Sequence, residues 1–279
     1  MGIYKEPMDW LYFLILGIAT GIYGVMVGTG GGIILVPTLL ILFNFEPAMA
    51  AGTSMFLVAV NSFSGSIFYI RENLVDRRSG IMFALAAIPG SLIAPFALKG
   101  VSPEVFRSLF GILLILLSIY LIYRTFITRQ ISSEVSNKIK FGLRQYRWVS
   151  GKEIYSYKYN EILAAIFNFC LGFLSAFFGT GGGFLRTPVL VTFFGFPLRV
   201  AVATSIFALS IYSTTGAAVH TLLGHTDWFP TVLAVSPGLL FGSRVGVWFS
   251  SKVSSKGIVV MLSILLIVMG FRLVLQVFL

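Results

Sequence analysis

Ten apolar stretches run along the chain, separated by short polar breaks. Eight of them, 9–27, 47–70, 80–98, 105–123, 160–178, 198–223, 231–249 and 258–278, suit or nearly suit a bilayer crossing. About 30 Å of hydrocarbon takes roughly 17–25 helical residues. Two more, 33–44 and 184–195, hold 12 residues each. A helix of that length rises only about 18 Å. Each of the two follows a run of glycines, so they predict half-helices or re-entrant segments. The pattern predicts an all-α integral membrane protein with about eight full spans and two short ones.

The ten stretches form five segments written twice. Residues 28–37 read GTGGGIILVP and residues 179–188 read GTGGGFLRTP, an offset of 151. Carried forward without gaps over 28–65, that offset gives 15 identities in 38 positions, among them Thr53/Thr204, Ser54/Ser205, Ser62/Ser213 and Gly65/Gly216. Pro89-Gly90 and Pro237-Gly238 correspond at an offset of 148. The chain therefore divides into a first repeat (1–126), a linker (127–159) and a second repeat (160–279). Five segments is an odd number, so the second repeat is expected inverted relative to the first. The equivalent loops carry opposed charge: 71–78 (RENLVDRR) has three arginines, while 224–230 (GHTDWFP) has no Lys or Arg. The positive-inside rule puts 71–78 and the basic linker in the cytoplasm, and 224–230 and both termini outside, in a cytoplasmic (inner) membrane. Lys5 ahead of an apolar run has the look of a signal peptide. No A-x-A-like site follows, and the run leads into the repeated motif, so the segment reads as mature protein.

Composition narrows the function. The chain is 57% hydrophobic and 11% charged, against roughly a quarter charged in a soluble domain, which excludes a cytosolic enzyme. The apolar content also excludes a disordered chain. A net charge of +10 raises a nucleic-acid partner, but cytoplasmic loops account for it better. Residues 124–158 hold eight basic and two acidic residues. KIKFGLRQYRW (138–148) fits both a segment lying on anionic lipid and a solvated linker. One cysteine, Cys170, and two histidines, with no HExxH or CxxC, leave no internal disulfide, no metal centre and no cofactor motif to expect.

The glycine breaks carry the candidate chemistry. Broken helices in an inverted repeat place substrate near mid-membrane, where the halves meet. The N–H groups of Gly30, Gly31, Gly32 and Ile33, and of Gly181, Gly182, Gly183 and Phe184, are expected to open the two short helices. A helix N-terminus carries about half a positive charge and attracts anions. Thr29 and Thr180 add hydroxyl donors, and Thr53, Ser54, Thr204 and Ser205 are placed to line the same cavity. The alternative for any one glycine is close helix packing. Arg186 lies deep in apolar sequence, where its repeat partner is Leu35, with no acidic residue within a turn. Its expected partner is an anionic substrate; pairing with backbone carbonyls is the structural alternative. All ten acidic residues fall in loops or at span ends, which argues against a cation transporter. His220 reads as an interfacial or hydrogen-bonded residue, and Arg244 as a snorkelling one.

At these residues the chain resembles the sulfite exporter TauE/SafE family of membrane transporters. The resemblance rests on GxxxGxGGGxxxxP from Gly24 to Pro37 and on its second copy at 179–188, where Ser175 replaces the small Gly24. It implies movement of a small, often sulfur-bearing anion: sulfite, sulfoacetate, thiosulfate or a related organosulfonate. The leading expectation is a secondary transporter working by alternating access, with a small anion and the bilayer as partners, no nucleic acid and no cofactor. A channel-like anion pore, a membrane scaffold and an intramembrane enzyme are the alternatives, the last with no catalytic motif behind it.

Overall fold

The computed structural model describes residues 7–126, 143–150, 153–250 and 255–278. All ten expected helices are present: α1 (Pro7–Val27), α2 (Gly32–Ile41), α3 (Pro47–Arg71), α4 (Arg77–Ala97), α5 (Pro103–Phe126), α6 (Glu161–Phe178), α7 (Gly183–Thr192), α8 (Leu198–Leu222), α9 (Leu233–Ser250) and α10 (Ser255–Phe278). Start and stop signals in the sequence fix their ends. Pro47 and Pro103 open α3 and α5, where a missing N–H costs nothing. Asp76 and Asn160 cap α4 and α6, accepting from the N–H groups of Ser79 (3.1 Å) and Leu163 (2.9 Å). Gly179 ends α6 in the left-handed region at φ 69°. Among the described residues, seven helices are long and apolar enough to cross a membrane. The bundle turns large apolar side chains outward, with Phe63, Leu116 and Val268 about 60% exposed, while its interior mixes apolar side chains with buried Ser, Thr and Asn. That is the arrangement of a chain whose solvent is lipid.

The linker departs from an all-helical pattern. Leu143–Ser150 (β1) and Glu153–Asn160 (β2) pair as an antiparallel hairpin in which Tyr146 faces Tyr157 and Trp148 faces Tyr155. Strand residues of the basic segment 138–148 thus lie at 143–148; the rest of that segment falls outside the described residues.

Helix pairing follows the repeat. α1 packs on α9 as α6 packs on α4, and α3 packs on α8 and α5 on α10. Glycines set the distances. A Cβ on Gly242 would stand 2.5 Å from the Ile18 oxygen and 3.0 Å from the Ile22 nitrogen; one on Gly90 would stand 2.4 Å from the Phe169 oxygen and 2.6 Å from the Phe173 nitrogen. Gly90 is therefore the counterpart of Gly242, an offset of 152, and not of Gly238. The sequence match of the two Pro-Gly pairs was one helical turn out. The turn at 228–232, kinked at Phe229 (φ −131°, ψ 124°), absorbs the one extra residue that separates 152 from 151.

α3 and α8 run antiparallel. A Cβ on Gly65, late in α3, meets Ile206 early in α8, and a Cβ on Gly216, late in α8, meets Met55 early in α3. Hydrogen bonds between and within the repeats come in exchange-related pairs. Ser54 Oγ donates to the Gly179 carbonyl (2.8 Å) as Ser205 Oγ donates to that of Gly28 (3.2 Å). Ser64 meets Ser243 (2.6 Å) as Ser91 meets Thr215 (3.0 Å). Tyr69 OH donates to the Val25 carbonyl (3.1 Å) as His220 Nε2 donates to that of Ala176 (2.9 Å). Residue i touching j′ while i′ touches j is the signature of a two-fold contact.

Candidate functional site

The two glycine breaks meet at the centre of the bundle, backbone to backbone. A Cβ on Gly183 would stand 2.0 Å from the Gly28 oxygen, and one on Gly32 2.6 Å from the Thr180 carbonyl. Gly30 and Gly181 share the same neighbours, Val58 of α3 and Leu209 of α8. Their carbonyls are held by equivalent residues of different chemistry: Asn61 Nδ2 donates to Gly30 (2.9 Å) and Tyr212 OH donates to Gly181. Gly31 and Gly182 sit at φ 91° and 65°, which a side chain resists. Packing and conformation thus both demand glycine here, at different positions within one motif.

The breaks differ in their free donors. In the first, Gly30 N–H bonds the Gly24 carbonyl (2.9 Å) and Gly31 N–H bonds the Thr29 hydroxyl (3.3 Å). The expectation of free amides at Gly30 and Gly31 is corrected: the chain folds back over the end of α1, where an orphan carbonyl takes the first N–H and the Thr29 hydroxyl takes the second. The Gly32 and Ile33 N–H groups make no turn or cap bond among the described residues. In the second, Thr180 N–H reaches the Ser175 carbonyl (3.1 Å), but the N–H groups of Gly181, Gly182, Gly183 and Phe184 make no turn or cap bond among the described residues.

Arg186 stands one turn into α7, fully buried. Its Nε donates to Asn168 Oδ1 (2.7 Å), and the Asn168 amide is turned that way because its Nδ2 donates to the Ala164 carbonyl (2.7 Å). The guanidinium carbon lies 4.7 Å from the centre of the Tyr212 ring, a cation–π contact. Nη1 and Nη2 are buried with no hydrogen-bond partner among the described residues. So are Thr180 Oγ1, and Ser175 Oγ and Thr187 Oγ1, which lie on the elements flanking the second break. Buried donors of this kind are rarely left empty, and a charged one least of all.

The four hydroxyls expected to line the cavity are engaged otherwise. Ser54 and Ser205 bond the break carbonyls as above, Thr53 accepts from the Asp227 N–H (2.9 Å), and Thr204 accepts from the Asp76 N–H (3.1 Å). The Thr29 hydroxyl is turned to its own break. The structure therefore brings together Gly181, Gly182, Gly183, Thr180 and Arg186, and joins Thr53, Ser54, Thr204 and Ser205 to the seam between repeats. Sequence reading missed Asn168, Tyr212, Ser175 and Thr187. The repeat held a signal for two of them, since at an offset of 151 Asn168 replaces Gly17 and Tyr212 replaces Asn61, alongside Arg186 for Leu35. An apolar cavity of 590 Å³ between α3, α8 and α9, lined by Phe56, Phe63, Ala217, Thr221, Trp228 and Leu240, holds none of these residues.

A helical bundle with lipid-suited exteriors and broken helices at its centre is a multi-pass membrane protein of the transporter class. Comparison with known proteins agrees. The family model described as sulfite exporter TauE/SafE matches residues 13–273. The probable membrane transporter protein YunE of Bacillus subtilis is 33% identical over 96% of this chain and 98% of its own length. The probable membrane transporter protein MJ0441 of Methanocaldococcus jannaschii is 26% identical over the same shares. The probable membrane transporter protein YfcA of Escherichia coli K12 is 25% identical over 82% of this chain and 75% of its own. No solved structure matches. The chain belongs to the sulfite exporter TauE/SafE family. The family and these names point to transport rather than catalysis.

Proposed function

We propose that the protein is a secondary transporter that moves a small, sulfur-containing oxoanion such as sulfite, sulfoacetate or a related organosulfonate across the cytoplasmic membrane by alternating access. The observation that carries this reading is the buried Arg186 with Nη1 and Nη2 unpartnered beside the second glycine break. An anion of that kind offers two oxygens to one guanidinium edge. The free amides at 181–184 add the positive end of α7, and Thr180 adds a hydroxyl. The antiparallel run of α3 and α8 supports two halves of opposite sense, the arrangement that alternating access uses. Because Arg186 has Leu35 as its counterpart, the anion is placed nearer the second break than the axis between the halves. Gly30, Gly31, Gly32 and Thr29 then form the opposing wall.

Flux into proteoliposomes with a panel of anions tests the reading. A carrier saturates, shows counterflow and prefers an oxoanion to a halide. Flux that rises linearly with concentration would identify a pore, and no flux a scaffold or an enzyme.

A further inference from the structure

Two equivalent hydrogen bonds tie each repeat's loop to the other repeat's long helix. After α3 the chain turns through 72–76, and the Asp76 N–H donates to Thr204 Oγ1 near the start of α8 (3.1 Å). After α8 it turns through 223–227, and the Asp227 N–H donates to Thr53 Oγ1 near the start of α3 (2.9 Å). Both threonines are fully buried. Since α3 and α8 are antiparallel, the two bonds sit at opposite ends of the central helix pair, on either side of the glycine breaks. Both are made at once, so the centre is shut from both ends.

The hairpin adds contacts at one of the two ends. At Asp227 the carboxylate is used locally, accepting from the Thr231 hydroxyl (2.5 Å). Ser79 takes the same place on Asp76, because the turn at 228–232 holds the extra residue of the second repeat. Asp76 takes in addition the Tyr157 hydroxyl on Oδ2 (2.6 Å), with the Ser79 N–H on Oδ1 (3.1 Å). Tyr159 OH meets Ser79 Oγ at 2.7 Å. Both tyrosines belong to β2, and their rings pack on Phe196 in the loop between α7 and α8 at 4.3 and 5.0 Å. The hairpin thus bolts a first-repeat loop to a second-repeat loop across one end only.

The geometry points to Asp76–Thr204 and Asp227–Thr53 as the two gates of the pathway, with the β1–β2 hairpin as a strap that holds the first gate shut. Opening at one end requires the loop to leave its threonine. At the Asp227 end that withdrawal breaks the Thr53 hydrogen bond and lifts His225 from Gly52 and Trp228 from Phe56. At the Asp76 end it costs the Tyr157 and Tyr159 bonds and their packing as well. The inference rests on the alternating-access reading and assigns Thr53 and Thr204 to the gates rather than to the anion.

A reporter at the centre tests it. Val58→Cys, in a Cys170→Ala background, places a thiol against both Gly30 and Gly181. A membrane-impermeant thiol reagent is applied separately to each face of sealed vesicles. Thr204→Val and Tyr157→Phe are expected to raise the labelling rate about two- to tenfold from the face carrying 71–78 only, the factor that one neutral hydrogen bond supports. Thr53→Val is expected to raise it from the opposite face only. An equal rise from both faces, or no rise in a folded variant, overturns the assignment. Tyr157→Phe keeps the test open if Thr204→Val does not fold. Counterflow is measured on the same protein. Sided labelling without carrier kinetics would remove the transport reading and keep the gates; carrier kinetics without sided labelling would remove the gates alone.

Discussion

A guanidinium in the middle of a bundle has to be neutralised, solvated or shared, and Arg186 is only half provided for. Its Nε is held by Asn168 and its face by Tyr212, which leaves the Nη edge preorganised, with no hydrogen-bond partner among the described residues. Arg186→Ala is expected to weaken anion binding by about 1.5–3 kcal/mol, the range for a hydrogen bond to a charged group, or roughly ten- to a hundredfold. Arg186→Lys recovers part of this, because an ammonium is a point charge without the fork. Equilibrium binding on monodisperse protein measures both. Asn168→Asp separates a binding role from a structural one. A carboxylate there still accepts from Nε and pairs with the cation, which offsets the lost Nδ2 bond to the Ala164 carbonyl, so the fold is expected to hold. It also cancels the charge the anion needs, and affinity is expected to fall about tenfold or more. Unchanged affinity in Asn168→Asp would make Arg186 a packing residue. Arg186 was legible in the sequence because it is a charge in an apolar run. Asn168 and Tyr212 stood out only as departures from the repeat, because neutral polar and aromatic residues are common in membrane helices and only proximity gives these two a role.

Short helices opened by glycine were readable from the doubled motif, and their boundaries moved by only a few residues. The division of labour among the glycines was not readable, since it depends on which backbone lies opposite. Gly183→Ala and Gly32→Ala push a methyl into the facing backbone at 2.0 and 2.6 Å, and overpacking of this kind typically costs about 1–3 kcal/mol, with loss of thermal stability. Gly182→Ala meets side-chain and carbonyl neighbours no nearer than 3.0 Å and is penalised chiefly by its positive φ, by about 1–2 kcal/mol. Melting curves should therefore rank Gly183→Ala as the more damaging. The hairpin escaped the sequence reading because its basic composition outweighed its alternating aromatics. The loop after α8 makes a separate prediction. His225 is partly buried, and burial first, then the nearby positive Lys99, lowers its pKa below the usual histidine value. Its Nδ1 lies 3.3 Å from His220 Nδ1, whose other nitrogen is committed to a carbonyl. Folding therefore favours neutral His225. Its contribution is present above about pH 6.5 and is lost as pH falls below that reference value toward the lowered one. His225→Gln should flatten the fall in melting temperature between pH 7 and pH 5; a slope equal to that of the parent protein would exclude this loop as the acid-sensitive element.

Reciprocity links the chain as a whole. Apart from the hairpin's hold on one end, the contacts named between the repeats come in exchange pairs, down to the extra residue absorbed at 228–232, and such a pattern arises when two copies of one unit face each other across a two-fold axis. The sequence predicted the duplication from 15 identities in 38 positions, yet misplaced the fourth segment by a turn, because Pro-Gly pairs recur and glycine contacts were invisible. Orientation in the membrane adds a consequence that geometry within the bundle leaves open. If the two-fold axis lies in the membrane plane, the loops 72–76 and 223–227, which close opposite ends of the antiparallel pair α3 and α8, must face opposite compartments. Charge then sets the expectation to be tested: 71–78 with its three arginines in the cytoplasm, and 224–230 with both termini outside. Single cysteines at Asn73 and at Gly224, in a Cys170→Ala background, measure this directly, since Gly224 has open space around it and Asn73 lies at an exposed turn. An impermeant thiol reagent applied to intact cells is expected to label the Gly224 site and spare the Asn73 site, and inverted vesicles should reverse the result. Labelling of both sites from one compartment would place the two ends of the α3–α8 pair on the same side of the membrane, and the crossing helices would then have to be a bundle lying in the bilayer without a through path.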